Sequence, residues 1–305
     1  MKHKMSVKSL RDLNLLDRFL FDVSMEDSTI LQYFLEVILE DRIQLLTLLQ
    51  TEKELRTSPL LRSIRLDVYS MDERQKIYNT EAQKENTGNL PRRSRYYQSL
   101  IDSSLLEPGS INFNLLNDVC MIMIAPFDLF GRDKYKYTFQ MICEEEEEIR
   151  LGDGATRIFL NTKGENNQEV KPELIELLHY VEDTTDQRAK SSKSEKIKEI
   201  HRRISKIKSS EEMGVRYMQA WEEKVMLKEE GRQEGKLEGK AEGQAEGKAG
   251  EIHIIRRKLE QGMETQQIAE WMELEEEYIK SIETLCRENL KLNDVEIAKQ
   301  YLRGK

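Results

Sequence analysis

Residues 119–125, within the run DVCMIMIAPF, constrain this chain more than any other feature. Seven apolar residues follow one another without alternation. That is far short of the roughly 18 needed to span a membrane, and it is the pattern of a strand buried on both faces. Two more strand-like runs follow, YTFQMIC and ATRIFLNTK. Upstream, from Ser63, the apolar period is two. Ile64, Leu66 and Val68 face one way while Arg65, Asp67 and Tyr69 face the other. After a polar turn at 71–75, Ile77, Asn79, Glu81 and Gln83 alternate with Tyr78, Thr80 and Ala82. These two runs predict a β-hairpin with one polar face.

Helical periods bracket this β segment. Leu13, Leu16, Leu20 and Val23 recur at three- and four-residue steps, as do Ile30, Phe34, Ile38 and, after a break, Leu45 and Leu49. A glycine–proline break at 88–91 precedes RRSRYYQSLIDSSL, a further helix. The order of helices, hairpin, helix and strands gives a mixed α/β (α+β) domain over residues 1–185. A charged helical segment follows at 186–230, in which AKSSKSEKIKEIHRRISKIK is locally basic. Residues 231–250 carry Gly231, Gly235, Gly239, Gly243 and Gly247, each preceded by Glu. This repeat reads as a semi-flexible tether or as a glycine-seamed oligomer helix. Residues 251–305 read as a small helical module, in which IHIIRRKLEQGMETQQIAEWMELEEEYIKSIETL gives three short helices, with Gly262 ending the first and Thr265 capping the second.

Composition narrows the function classes. A formal charge of −9 excludes a protein that coats nucleic acid non-specifically and leaves room for a local basic patch. Cys120, Cys143 and Cys286 are odd in number and far apart, which argues against a disulfide framework or a structural zinc site and suits a reducing cytosol. The basic start reaches Asp12, Asp17 and Asp22 before any apolar stretch long enough for a signal peptide. A soluble, cytoplasmic protein is expected.

The hairpin's polar face is where chemistry can be placed. Glu81 and Gln83 leave the same face of one strand, and a neighbouring strand about 4.8 Å away carries Asp67. Asp67, Glu81 and the Ala82 carbonyl would form an oxygen half-shell for Mg²⁺ or Mn²⁺, open to water and a scissile phosphate. Gln83 has no ionisable group and can only orient an attacking water. By themselves, the same letters also describe a solvated polar sheet face.

PRRSRYY sets Arg92, Arg93 and Arg95 beside Tyr96 and Tyr97, which suits phosphates and bases and equally suits a half-buried surface helix. The basic stretch at 190–208 is a solvated face or a further phosphate contact. The five glutamates at 144–148 read as a solvated loop, and the four histidines have no motif context. The last segment, QQIAEWMELEEEYIKSI, has helix-turn-helix-like spacing, but Glu275, Glu276, Glu277 and Glu283 against Lys280 make it a packing or partner module.

The segment RLDVYSMDERQKIYNTEAQKENTGNLPRRSRYYQSLID resembles the motif core of the PD-(D/E)XK nuclease-like transposases, which include the recombination-promoting (Rpn) nucleases of bacteria. The resemblance continues through LLNDVCMIMIAPFDLFG, GDGATRIFLNTKG and SSEEMGVRYMQAWEE into the glycine repeat. It implies a restriction-endonuclease-like mixed sheet flanked by helices, followed by an all-α C-terminal region. It further implies Mg²⁺-dependent DNA cleavage serving recombination or transposition. Asp67, Glu81 and Gln83 match the catalytic motif by position, and Arg93 and Tyr97 match a basic and an aromatic position on the next helix. LLDRFLFD resembles the family's Asp-x-x-Phe-Lys stretch, with Asp17 in place and Phe21 where lysine is expected. Glu36 is the other candidate for an accessory acid. DNA and a second copy, through the C-terminal helices, are the expected partners, with no membrane. The alternative is a nuclease-fold protein of impaired catalysis that binds DNA or assembles.

Overall fold

The computed structural model describes residues 7–46, 50–55, 64–106, 109 and 111–303, with only the backbone at 50–55 and 64–67. The chain divides into two compact units, Met1–Ala220 and Trp221–Lys305.

In the first unit, α1 (Arg18–Met25) and α2 (Ser28–Leu39) precede β1 (Gln50–Leu55), β2 (Ile64–Met71) and β3 (Ile77–Ala82). Helix α3 (Leu90–Ser103) connects β3 to β4 (Val119–Ala125), and β5 (Lys136–Phe139) and β6 (Ala155–Asn161) complete the sheet. Its strand order is β1-β2-β3-β4-β6-β5. β3, β4 and β6 run parallel, and the strands outside them pair antiparallel. The fold is therefore the mixed sheet with flanking helices that the apolar runs imply.

Every residue of β4 is buried, and the pleat divides its side chains between two cores. Cys120, Ile122 and Ile124 join Val68, Tyr78, Ile158 and Leu160 beneath α1, α2, α4 (Pro172–Glu182) and α6 (Glu195–Ser209), the last two joined through the short α5 (Asp186–Ser191). Val119, Met121 and Met123 join Tyr69, Ile77 and Phe159 beneath Leu90, Leu100 and Ile101 of α3. α6 brings Ile197, Ile200 and Ile204 into the first core, so the locally basic segment beyond residue 185 packs as part of this unit.

One local expectation differs from the structure, and one strand lies where the apolar pattern marks none. The helical period after α2 stops at Glu40, which sits at φ 58°, and Leu45 pairs as a β-bridge with Asp72. Leu49 lies outside the described residues. β1 is a strand whose sequence, QTEKEL, has no apolar alternation; the pairing offered by β2 outweighs that weak local preference.

Helix α7 (Glu211–Glu260) runs unbroken through the five glycines of the repeat, and a Cβ built at any of them meets nothing within 4 Å. Gly262 ends the run at φ 82°. α8 (Thr265–Met272), α9 (Glu276–Glu288) and α10 (Asp294–Arg303) complete the second unit around Ile252, Ile255, Ile268, Ile279, Ile282 and Ile297. The N-cap of α8 is Glu264, whose N–H donates to Gln267 Oε1 at 3.3 Å. Thr265, expected as the cap, instead donates its hydroxyl to Glu276. No described helix is long and apolar enough to cross a membrane.

Phe21 is fully buried and meets Phe34 edge-on at 6.4 Å. Phe21→Ala should lower stability by about 3–5 kcal/mol, read from the urea midpoint. Gly239→Ala should raise helical stability by up to about 1 kcal/mol, read by thermal circular dichroism. A loss instead would show that the glycine stripe is seated against a partner.

Candidate active site

The alternation along β3 places Ile77, Asn79 and Glu81 toward α3, and Tyr78, Thr80 and Ala82 toward the opposite core. Gln83 extends the parallel ladder one residue past β3, its N–H donating to the Ile124 carbonyl at 2.8 Å. The polar face of the hairpin is not solvated, because α3 covers it. Glu81 is 3% exposed and Asn79 is fully buried.

Helix α3 starts with Pro91 in its first turn, after Gly88 at φ 67° turns the chain. Its inner face carries Leu90, Arg93, Ser94, Tyr97, Gln98, Leu100 and Ile101, while Arg92, Arg95 and Tyr96 face outward. Arg93 thus comes down on the end of β3. Its Nη2 donates to Gln83 Oε1 at 2.8 Å and to Glu81 Oε2 at 3.3 Å. Asn79 Nδ2 donates to Glu81 Oε1 at 3.2 Å. The Gln83 amide nitrogen donates to the Glu85 carbonyl at 2.8 Å. The Arg93 guanidinium stands 5.7 Å from the centre of the Tyr97 ring. Two polar atoms of this cluster, Asn79 Oδ1 and Arg93 Nε, are buried with no hydrogen-bond partner among the described residues.

Asp67 lies in β2, one residue before Val68. The register pairs Val68 with Thr80 and Tyr69 with Asn79, and one further step sets Asp67 across from Glu81. Its side chain lies outside the described residues. Ala82 sits between Glu81 and Gln83 as the last residue of β3. Among the described residues no three acidic, histidine or cysteine side chains gather into a metal cage. The donors that do converge, the Glu81 carboxylate and the Gln83 amide oxygen, are hard oxygens already gathered on one cationic nitrogen, which is the donor chemistry of Mg²⁺ or Mn²⁺.

The accessory acids part company. Asp17 precedes α1 and binds Lys84 Nζ at 2.8 Å, Lys8 Nζ at 3.2 Å and the Asn14 N–H at 2.9 Å. Lys84 follows Gln83, so Asp17 is tied to the segment that leaves the site. Burial pushes the Asp17 carboxyl up, but the bonds from Lys84, Asn14 and Lys8 outweigh it and hold it below the usual carboxylate range. Glu36 is not brought to the site. It accepts from Gln32 and the Ile43 N–H and pairs with Lys196 at 2.8 Å, in a cleft that also holds Asp72 and Arg74 from the β2–β3 turn, at the other end of β3.

Most of the basic stretch on α6 is already engaged. Lys196 pairs with Glu36, Lys198 with Glu195, Arg202 with Glu199, and Arg203 with Asp27 and Glu199. Lys208 donates to the Thr184 carbonyl.

A profile described as PD-(D/E)XK nuclease family transposase matches residues 18–230, well over half of the chain. The chain belongs to this family. No curated protein and no solved structure matches it. In this PD-(D/E)XK chain, Phe21, at the position where the resemblance leads one to expect lysine, is a core residue.

The sequence reading missed Asn79 as the buried partner of Glu81, and it assigned Arg93 and Tyr97 to DNA. The signal for both was present. Asn79 shares the two-residue period of Glu81, and Arg93 and Tyr97 fall on the same helical stripe as Leu90, Leu100 and Ile101, opposite Arg92, Arg95 and Tyr96.

Because the folded-state value of Asp17 is depressed, its stabilising contribution is present above the ordinary carboxylate pKa and is lost as pH falls through the lowered value. The unfolding free-energy difference between wild type and Asp17→Asn should therefore be full at neutral pH and shrink as the pH falls below the ordinary carboxylate range, which urea unfolding at stepped pH measures.

Proposed function

We propose that this chain is a divalent-metal-dependent DNA endonuclease of the Rpn type, hydrolysing phosphodiester bonds in support of recombination or transposition-like events. The observation that carries the reading is the convergence of Glu81 and Gln83 on one cationic position at the carboxyl end of β3, with Asp67 across the strand pair by register. Family membership supports nuclease chemistry.

Asp67, Glu81 and the Ala82 carbonyl would hold Mg²⁺ or Mn²⁺, leaving positions for water and a phosphate oxygen. Bound there, the cation would acidify a water and neutralise charge on the phosphoryl group. Gln83 acts through its amide, holding the attacking water without exchanging a proton. Arg92, Arg95 and Tyr96, on the exposed side of α3, take phosphates and bases. Three free cysteines suit a reducing cytoplasm.

The test is plasmid nicking with Mg²⁺ by wild type, Asp67→Ala and Glu81→Ala, beside a filter-binding assay for DNA. Each substitution should cut activity by about a hundredfold or more while DNA binding persists. Equal cutting by all three proteins removes the assignment. Phe21 in the core and Arg93 seated at Glu81 favour a second reading, a nuclease fold of impaired catalysis that binds DNA or assembles. Wild type that binds DNA and leaves the plasmid intact would establish it.

A further inference from the structure

We infer that Arg93 is the resident cation of this site: its guanidinium neutralises Glu81 and holds Gln83 until a divalent cation displaces it. The inference rests on the metal-binding reading of Glu81 and adds the residue that regulates it.

Charge is the first argument. Glu81 is nearly fully buried, and a buried carboxylate demands a compensating charge. Arg93 makes an ion pair with Glu81, at 3.3 Å. One nitrogen of Arg93 touches both Glu81 Oε2 and Gln83 Oε1, oxygens that the two-residue strand period sends to the same face. A divalent ion coordinated by Glu81 would draw on the same oxygen. Two cations cannot share it at contact distance, because their repulsion grows as the surroundings become less polar. Metal binding and the Arg93–Glu81 pair therefore exclude each other.

The second argument is that Arg93 is held loosely enough to leave. Charge-assisted N–H to carboxylate bonds run about 2.7–2.9 Å, and the Glu81 contact is longer, at 3.3 Å. Arg93 Nε is buried with no acceptor among the described residues, so the seated side chain forfeits a hydrogen bond that water would supply. Its side chain keeps 25% of its surface exposed, which leaves a route outward from the first turn of α3. Arg93 is accordingly a positioning residue, orienting Glu81 and Gln83 while the cation is absent and yielding when it arrives.

Competition has a sign that a structural role lacks, since removing a competitor raises affinity. Mn²⁺ binding is measured by isothermal titration calorimetry on the full chain, without DNA, for wild type, Arg93→Ala and Glu81→Gln. Arg93→Ala should bind Mn²⁺ about tenfold tighter than wild type. Mn²⁺ should also raise its thermal midpoint by more than it raises that of wild type. If Arg93→Ala does not fold, Arg93→Lys carries the comparison. Arg93→Lys keeps the charge on a shorter stem that does not carry it to the place of Nη2, so its Mn²⁺ affinity should also exceed that of wild type. Affinity equal to or below wild type in the folded variant overturns the inference. Loss of Mn²⁺ binding in Glu81→Gln together with an unimproved Arg93 variant defeats the displacement alone. Undiminished binding in Glu81→Gln, or none in wild type, defeats the metal reading and the displacement with it.

Discussion

Burial of β4 on both faces is the constraint on which the rest of the first unit depends. Seven residues without a charge are stable as a strand only if each face meets an apolar layer. Helices α1, α2, α4 and α6 supply one layer, and α3 with Phe127, Leu129 and Phe130 of the segment after β4 supplies the other. β3 and β6 are then fixed as parallel neighbours, Glu81 against Met123 and Met123 against Phe159. That register sets Glu81 and Gln83 at the carboxyl end of β3. Because α3 must cross the same face to cover Met121 and Met123, its first turns arrive over Glu81. The position of Arg93 is a consequence of packing β4.

Much of this architecture was legible in the chain. Period two identified β2 and β3, and the continuous apolar run identified β4, because burial leaves its period in the side chains. β1 was not legible, since QTEKEL has no apolar face to read and its strand character comes from pairing with β2. The region after α2 misled for a related reason. Leu45 keeps a helical spacing, but the left-handed turn at Glu40 redirects the chain to a bridge with Asp72. The glycine repeat looked like a tether because each glycine weakens a helix by about 1 kcal/mol. The helix nevertheless continues, with Met213 and Tyr217 packed near its start and Ile252 and Ile255 near its end.

At the candidate site, the pattern told which side chains share a face and not what covers that face. Asn79, Glu81 and Gln83 alternate as a polar set whether water or a helix lies above them. The covering element is specified elsewhere, in the stripe of α3 that interrupts Leu90, Leu100 and Ile101 with Arg93 and Tyr97. A cationic residue on a buried helix face calls for an anion to pair with it, and reading the two elements together would have paired Arg93 with Glu81. The outward residues Arg92, Arg95 and Tyr96 fill the other half of the same helix, so one segment serves two surfaces.

The polar cluster is itself an argument about use. Replacing a buried ion pair by well-packed apolar residues is often neutral or stabilising, by about 1–4 kcal/mol. Between Ile77 on one side and the apolar wall of Met123 and Phe159 on the other, aliphatic residues at 79, 81 and 93 would extend the second core without a desolvated charge. Instead the chain keeps a carboxylate, two amides and a guanidinium, and leaves Asn79 Oδ1 and Arg93 Nε unsatisfied. Local rules are broken in this way where a site is built for something other than stability. The broken rules all lie where a carboxylate, two amides and a guanidinium meet at the carboxyl end of one strand.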